Sequence, residues 1–337
     1  MITYAIWNNK GGTGKTSLSF QSVCRFAQKN PNKKILVIDL CPQANLSEIF
    51  LGGQENSGSN NLLINQGKLP RSSIGGYFDL RLSSPFSPPS FSAKDFITNP
   101  SEFNSSIPTN IDLICGDPLL ELQAIAMNTL ANADIPGVNA WLGVIDWLRD
   151  LLNLLTYDYV FIDTNPSFSM YTQIALAASD RVILPVMADD SSRRAIQNAF
   201  SLIYGLKLPS EVYSKYTFAK KLNDANRTLP KVHLIVKNRL TQYMGTSSAY
   251  NAVLVGIESD LNGLIEQYAH YFNFSEPKDG TVDVRDFGTT GVVAFARGCP
   301  FDGMPVGKLS LAGQRVQVKK EARAEMLAAI DGVVERL

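Results

Sequence analysis

The chain has no net charge to speak of, few cysteines and no long apolar run. Its 31 basic and 31 acidic residues cancel, so binding to nucleic acid or anionic lipid must come from a local patch. The four cysteines lie far apart without a CxxC pair, which predicts neither a disulfide framework nor a zinc site. Because no apolar run reaches about 18 residues and no basic segment precedes an apolar N-terminal stretch, we expect a cytoplasmic protein.

Short apolar runs alternate with helical patterns along the 337 residues, which is typical of βα units around a parallel sheet. We therefore predict an α/β fold with a doubly wound, mostly parallel sheet flanked by helices. The predicted strands are Ile2–Trp7, Ile35–Ile38, Ile111–Cys115, Tyr159–Ile162, Val182–Val186, Val232–Val236 and Val292–Phe295. The clearest predicted helices are Lys15–Gln28, Ala140–Leu155 and a C-terminal helix at Lys319–Leu337.

One region interrupts this alternation. Residues 52–110 are rich in Ser, Asn, Gly and Pro and are too long for an ordinary βα connection. Scattered aromatic and aliphatic residues within them can bury part of the segment, so we interpret it as an ordered, loop-rich insertion. The whole chain, 1–337, is predicted to be a single domain that carries this insertion.

A phosphate-binding loop follows the first predicted strand and opens the first predicted helix. It reads Asn9-Lys10-Gly11-Gly12-Thr13-Gly14-Lys15-Thr16, with Ser17 next on the helix. Glycines let backbone N–H groups approach phosphate oxygens, and a helix N-terminus adds unpaired N–H groups and positive partial charge. In such a loop Lys15 contacts the β- and γ-phosphates and the Thr16 hydroxyl binds Mg²⁺. The loop therefore predicts binding of a nucleoside triphosphate.

Two carboxylates stand at the ends of buried strands. Asp39 follows Ile35–Ile38, and Asp163 follows Tyr159–Ile162. Because the carboxyl ends of parallel strands face the ligand crevice, both side chains are candidates to hold waters on a Mg²⁺ ion.

The loop and the segment after Asp39 resemble the ParA/MinD family of P-loop ATPases, most closely its ParA-type partition members. The family's deviant loop reads Lys-Gly-Gly-x-Gly-Lys-Thr, which Lys10 to Thr16 match. The resemblance implies ATP and Mg²⁺ as cofactors and an ATP-dependent homodimer in which Lys10 reaches the partner's nucleotide. A solvated loop lysine is the alternative for Lys10. The resemblance also makes Asn238, at the end of a later strand, a candidate to contact adenine. A turn residue is the alternative for Asn238.

Cys41 departs from the family pattern. The family's first switch reads Asp-x-Asp-Pro-Gln-x-Asn, and Cys41 occupies the position of the second aspartate, which orients the attacking water in relatives. A neutral thiol polarises water poorly, so either hydrolysis is slow or another group such as Gln43 positions the water. The predicted catalytic set is Lys10, Lys15, Asp39 and Cys41.

The resemblance also implies non-specific DNA binding in the ATP state, a ParB-like adaptor that stimulates hydrolysis, and a nucleoid-associated location. The sequence offers basic residues near the C-terminus for DNA contacts, with Lys220 and Lys221 as a second cluster. The C-terminal candidates are Arg297, Lys308, Arg315, Lys319, Lys320 and Arg323. A solvated helix face is the alternative for each of them.

Three other functions stay open from the sequence. A MinD-like membrane switch needs a basic amphipathic C-terminal helix with bulky apolar residues, and Lys319–Leu337 is instead suited to packing on the body of the protein. A nucleotide-gated scaffold with little turnover is consistent with Cys41. Small-molecule enzymes on the same scaffold, such as amidoligases, are a minor alternative.

Overall fold

The computed structural model describes residues 1–187, 189–240, 248–311 and 313–337, and the side chains of 190–192 and 248–254 are not considered. Its central feature is a parallel sheet of seven strands. They are β1 (Ile2–Ile6), β2 (Ile35–Leu40), β3 (Ile111–Ile114), β4 (Tyr159–Thr164), β5 (Arg181–Met187), β6 (Lys231–Leu240) and β7 (Thr281–Arg285). Their order across the sheet is β3-β2-β4-β1-β5-β6-β7, and every described pair is parallel.

Helices follow the strands and cover both faces of the sheet. The first seven are α1 (Lys15–Lys29), α2 (Asn45–Phe50), α3 (Gly58–Gln66), α4 (Ile74–Ser83), α5 (Leu120–Ala131), α6 (Ala140–Ile145) and α7 (Trp147–Leu152). The later ones are α8 (Met170–Ala177), α9 (Asp190–Tyr204), α10 (Phe218–Asp224), α11 (Ser248–Tyr268), α12 (Pro277–Gly280), α13 (Gly288–Arg297) and α14 (Lys320–Val334). None of the helices in the described ranges has the length and apolar character needed to cross a membrane.

Two separate apolar cores lie on the two faces of the sheet, as a doubly wound fold requires. One contains Trp7, Trp147 and Phe200, under helices α4 to α9. The other contains Phe20 and Phe50, and it packs α1, α2, α13 and α14 against the sheet. Strands such as β2, whose six residues are all buried, contribute to both cores and therefore read as continuous apolar runs. The predicted fold class is confirmed.

Residues 52–110 contain α3, α4 and two 3₁₀ turns, at Ala93–Phe96 and Pro100–Glu102. Helix α4 begins at the cap residue Ser73, whose hydroxyl accepts a hydrogen bond from the backbone of Gly76 at 3.1 Å. The segment buries several of its aromatic and aliphatic residues in the first core. Those residues are Ile74, Tyr77, Phe78 and Phe96, with Leu80 and Leu82 partly buried beside them.

Two sequence predictions of secondary structure are wrong. Val292–Phe295 is not a strand but part of α13, which ends at Gly298 in the left-handed conformation, and the seventh strand is Thr281–Arg285. A four-residue apolar run does not by itself distinguish a strand from a buried helix. The predicted helix Ala140–Leu155 is instead two short helices, α6 and α7, which are separated at Asp146.

An antiparallel hairpin that the sequence analysis missed connects α13 to α14. Its strands are β8 (Gly307–Leu311) and β9 (Gln314–Val318), and we call this hairpin the ribbon. Leu309, Leu311 and Val316 pack against the second core. Alternate residues on the opposite side are exposed, because successive side chains of a strand point to opposite faces.

Candidate nucleotide-binding site

The glycine loop lies between the end of β1 and the start of α1. Gly12 and Gly14 have φ angles of 72° and 76°, in the left-handed region that glycine enters without strain. A Cβ at Gly14 would come within 2.6 Å of Nδ2 of Asn238, so this close packing also requires glycine. The loop thus exposes backbone next to the N-terminus of a 15-residue helix, which is a favourable arrangement for an anion.

Lys15 is buried at the start of α1, and its side chain points back to the residues before the loop glycines. Its Nζ lies 3.4 Å from the carbonyl oxygen of Asn8 and 3.5 Å from that of Lys10. Burial lowers the pKa of Lys15, while the nearby Asp163 carboxylate opposes that decrease. A buried ammonium that contacts only weak carbonyl acceptors gains from an anion placed beside it.

Asp39 and Asp163 are direct neighbours on adjacent strands, because the β2–β4 register pairs them. Oδ2 of Asp39 accepts hydrogen bonds from the backbone N–H and hydroxyl of Ser47 at 2.8 and 2.7 Å. Asp163 accepts hydrogen bonds from the hydroxyls of Ser19 at 2.8 Å and Thr16 at 3.0 Å. Burial raises the pKa of Asp39 to about 7, with repulsion from Asp163 as the second cause. Burial likewise raises the pKa of Asp163 to about 6.

This pair of carboxylates fits a magnesium ion. Oδ1 of Asp39 is buried, and no donor in the described part of the chain forms a hydrogen bond of normal geometry with it. The Thr16 hydroxyl stands beside Asp163 at the start of α1. Hydroxyl and carboxylate oxygens are the ligands that Mg²⁺ takes, often through water. Thr16, Asp39 and Asp163, the residues predicted to bind the metal, therefore lie close together and carry oxygens of the kind that Mg²⁺ takes.

Cys41 follows β2 and is partly buried. Its thiol donates a hydrogen bond to Oε1 of Gln43 at 3.0 Å. Burial, with Asp39 and Asp163 as further causes, raises the pKa of Cys41 to about 12, so the group is a neutral thiol. The side chain of Cys41 thus contacts the exposed amide of Gln43.

Lys10 forms an ion pair with Asp189 of its own chain, with 2.5 Å between Nζ and Oδ2. Asp189 follows β5, which lies next to β1 in the sheet. The backbone N–H of Lys10 donates to Oδ1 of Asn8 at 3.0 Å, and Asn8 in turn donates to the carbonyl of Pro185 at 2.7 Å. The structure thus fixes the base of the loop on β5 and places the Lys10 ammonium beside a carboxylate.

A cavity of about 390 Å³ opens beside the glycine loop. Gly14 and Ser17 line the side next to the loop, and Phe287, Val292 and Phe295 supply an apolar wall. These features suit the base and sugar of a nucleotide whose phosphates occupy the loop.

Asn238 lines this cavity, but its amide is already engaged. Nδ2 donates to the carbonyl of Thr13 at 2.8 Å, and Oδ1 accepts from the backbone N–H of Arg239 at 2.9 Å. The neighbouring Arg239 donates to the carbonyl of Gly12 at 2.8 Å and pairs with Asp286 at 3.3 Å. Asn238 therefore fixes the conformation of the phosphate loop.

Several residues of the site were not found from the sequence. The sequence spacing could have identified Ser19, because it lies four residues after Lys15 and so on the same side of α1. No sequence pattern could have identified the others, since their contacts depend on how distant strand ends come together. These residues are Asn8, Ser47, Arg239 and Asp286.

The predicted DNA-contact residues are spread over the ribbon and its two flanking helices. Lys308 and Arg315 are exposed on its outer side, and Lys319 and Lys320 are exposed where α14 begins. Arg297 and Arg323 are half-buried. Arg297 donates to the backbone carbonyl of Ser310 at 2.9 Å, and Arg323 donates to that of Met304 at 2.6 Å.

Both lysines of the predicted second basic cluster have a partner within the chain. Lys220 pairs with Asp224 one helical turn away. The ammonium of Lys221 lies 5.2 Å from the ring centroid of Trp141. Lys221 thus packs against the body of the protein, and this burial lowers its pKa.

The AAA_31 family model, which describes an AAA domain, matches residues 1–209. This range is more than half of the chain and contains the glycine loop, Asp39 and Asp163. The chain belongs to the AAA_31 family. The assignment to the ParA/MinD group of P-loop ATPases, made from the loop and the first switch, is confirmed by this match together with a relative that is a ParA family protein.

The relatives of this AAA_31 chain match it over part of their length. An uncharacterized protein of Pseudomonas putida is 30% identical over 192 residues, which is 55% of this chain and 56% of the relative. A virulence plasmid ParA family protein of Chlamydia muridarum is 27% identical over 202 residues, which is 60% of this chain and 61% of the relative. The chain thus spans less than two thirds of the length of these curated relatives.

Solved structures share the fold over the whole chain. McdA of Cyanothece superposes with a TM-score of 0.61 at 15% identity, covering 100% of this chain and 99% of McdA. A McdA variant in complex with ATP gives the same TM-score and covers 96% of that chain. A plasmid partition protein from Borrelia burgdorferi gives a TM-score of 0.51 at 16% identity, covering 100% of this chain and 99% of the other.

The buried carboxylates make the stability of the nucleotide-free protein depend on pH. Asp39 keeps its proton up to about pH 7 in the folded chain, whereas an unfolded carboxyl group titrates at about pH 4. The effect of Asp39 on the free energy of unfolding is therefore most favourable below about pH 4, and it becomes less favourable as the pH rises to about 7. We expect Asp39→Asn to melt at least about 2 °C above the wild type at pH 8, with a smaller difference at pH 5, by calorimetry.

Asp279→Asn is the matched control, because Asp279 is exposed. Equal melting temperatures of Asp39→Asn and wild type at both pH values would contradict the raised pKa.

Proposed function

We propose that this chain is a Mg²⁺-dependent ATPase of the ParA type that switches between nucleotide states. The observation that carries the proposal is the buried Lys15 next to the glycine loop, beside two neighbouring carboxylates, of which Asp39 has an oxygen without a hydrogen bond of normal geometry among the described residues. Similarity to a McdA variant solved with ATP supports ATP as the nucleotide. We further propose that residues 1–337 form one such domain, with 52–110 as its insertion and the C-terminal helix as part of its body.

In the proposed mechanism the loop amides and Lys15 bind the β- and γ-phosphates, and their positive charge increases the binding of the terminal phosphate. Thr16, Asp39 and Asp163 would hold Mg²⁺, and the ion would neutralise part of the phosphate charge. Because the nucleotide's charge replaces the weak carbonyl contacts of Lys15, its binding relieves the cost of burying that ammonium.

We propose that Lys10 exchanges partners when two copies associate. In the single chain its ammonium pairs with Asp189. In the proposed ATP-bound homodimer it instead contacts the nucleotide of the other copy. A triphosphate offers more charge than one carboxylate, so the exchange favours the dimer only when nucleotide is present.

Turnover in this proposal is slow, because Cys41 is a neutral thiol at a position where the family has a carboxylate. A neutral thiol is a weak acceptor and a very weak base, so Cys41, whose thiol donates to Gln43, is poorly suited to take a proton from water. This observation supports the second candidate function, a nucleotide-gated scaffold in which hydrolysis is incidental. A carboxylate at this position restores a general base, which contributes about 10²-fold or more.

We expect Cys41→Asp to raise steady-state ATP hydrolysis about 10²-fold, measured as phosphate release with Mg²⁺ present. Lys15→Ala with the same substitution should show no hydrolysis, which controls for contaminating activity. A wild-type rate that Cys41→Asp does not improve would show that Cys41 is no handicap. Absence of hydrolysis in both wild type and Cys41→Asp would contradict the ATPase proposal.

We propose that the outer face of the ribbon binds DNA phosphates without sequence preference. Lys308 pairs across the strands with Gln317, and Ser310 pairs with Arg315, so the four exposed polar side chains share one face. Within the described ranges, neither Lys308 nor Arg315 forms a salt bridge. Two copies in a dimer would double the number of such contacts, and phosphate affinity rises steeply with contact number.

We expect the double substitution Lys308→Ala with Arg315→Ala to weaken binding of a random-sequence DNA duplex in the presence of MgATP. The slope of log affinity against log salt should become shallower by about 2 per subunit, since each lost phosphate contact removes about 0.9. Fluorescence anisotropy across a salt series measures both the affinity and this slope. Lys94→Ala with Lys231→Ala is the charge-matched control, because these lysines are also exposed. An unchanged slope in the ribbon variant would place DNA binding elsewhere.

The C-terminal helix gives little support to a MinD-like membrane role. Its apolar residues Met326, Ile330 and Val333 are buried in the second core. Asp331 on the same helix pairs with Arg25 of α1 at 2.7 Å. Because the apolar side packs on the protein, we favour nucleoid association through DNA and a ParB-like adaptor as the partner.

A further inference from the structure

Two side-chain amides line the cavity beside the glycine loop, and they differ in their hydrogen bonds. Asn238 uses both its amide nitrogen and its amide oxygen within the chain. Gln54, from the segment after α2, lines the same cavity and is exposed to it. In the part of the chain that the structure describes, the carboxamide of Gln54 forms no hydrogen bond. Its donor and acceptor are therefore available to a ligand.

The backbone holds Gln54 in place from both sides. Gly53 has φ 65°, and a Cβ there would come within 2.6 Å of the carbonyl oxygen of Ala296 at the end of α13. On the other side the backbone N–H of Glu55 donates to the same carbonyl at 2.8 Å. Asn56 adds a side-chain hydrogen bond to the carbonyl of Arg297 at 2.9 Å. Gln54 is thus presented from a segment that is fixed against α13, which also supplies the apolar wall of the cavity.

The remaining polar side chains around the cavity are mostly satisfied. Arg239 contacts Gly12 and Asp286, and Asp286 also accepts a hydrogen bond from the backbone N–H of Gly288 at 2.7 Å. A base in this cavity gains contact area from Phe287 and Phe295, but those rings do not discriminate between purines. Discrimination needs a group that matches the donors and acceptors on the edge of the base.

We propose that Gln54 determines the choice of base by contacting the edge of adenine. This inference rests on the proposed nucleotide site. A carboxamide donates through its nitrogen and accepts through its oxygen, which matches the amino group and adjacent ring nitrogen of adenine as a bidentate pair. Guanine presents the opposite pattern on its Watson–Crick edge, with an acceptor at position 6 and donors beside it. A carboxylate at position 54, which only accepts, matches those guanine donors.

The test measures binding of two non-hydrolysable analogues, AMPPNP and GMPPNP, each with Mg²⁺, by isothermal titration calorimetry on the full chain. We expect Gln54→Ala to lower AMPPNP affinity about tenfold, as loss of a bidentate pair does, and to leave GMPPNP affinity within about twofold. Gln54→Glu should move the preference toward GMPPNP. Gln197→Ala is the matched control, because Gln197 is an exposed glutamine on α9, against the opposite face of the sheet.

Each outcome decides the matter. A fall in the AMPPNP preference in both Gln54 variants, with Gln197→Ala like the wild type, supports the assignment. If the wild type binds analogues but Gln54→Ala weakens both equally, or changes neither, Gln54 does not select the base while the nucleotide site stands. If the wild type binds neither analogue, the nucleotide site itself fails and this inference falls with it.

Discussion

A buried ammonium next to a glycine loop is the interaction on which the site depends. Lys15 lies next to the loop, where its Nζ contacts the carbonyl oxygens of Asn8 and Lys10. Asp39 and Asp163 lie side by side at the adjoining strand ends, and burial raises the pKa of both, because each carboxylate is costly to ionise there. An ammonium and two carboxyl groups are thus held near each other without a full set of ionic partners. Such an arrangement is costly in the free protein and favourable once a metal and a triphosphate are between them.

The elements around the loop connect its two ends to the rest of the fold. Asn8 attaches the loop to β5, and Asn238 attaches it to β6. Helix α13 forms the wall of the neighbouring cavity, contacts the segment after α2, and leads into the ribbon, whose Leu311 lines the same cavity. The cavity beside the loop, the insertion and the proposed DNA surface therefore meet at one helix. In the proposed switch, this shared helix gives nucleotide binding a direct structural route to the ribbon.

The sequence was informative where local chemistry sets the structure. The loop, the buried strands and the placement of Asp39 and Asp163 at strand ends could all be predicted, because each depends on a short pattern. Val292–Phe295 was mistaken for a strand, since a short apolar run fits a buried helix equally well. The engagement of Asn238 and the presentation of Gln54 depend on contacts between segments far apart in the chain, such as Gly53 with Ala296. No periodicity or spacing in one sequence records those contacts.

The most direct test of this account is the mass and nucleotide content of the protein with MgAMPPNP, measured by light scattering and calorimetry. The account predicts that the wild type binds one nucleotide per chain and doubles its mass. Lys15→Ala should lose at least about 10²-fold in affinity, and Lys10→Ala should bind nucleotide but stay a monomer. A Lys15→Ala variant that binds MgAMPPNP as tightly as the wild type would contradict the central role of the buried ammonium.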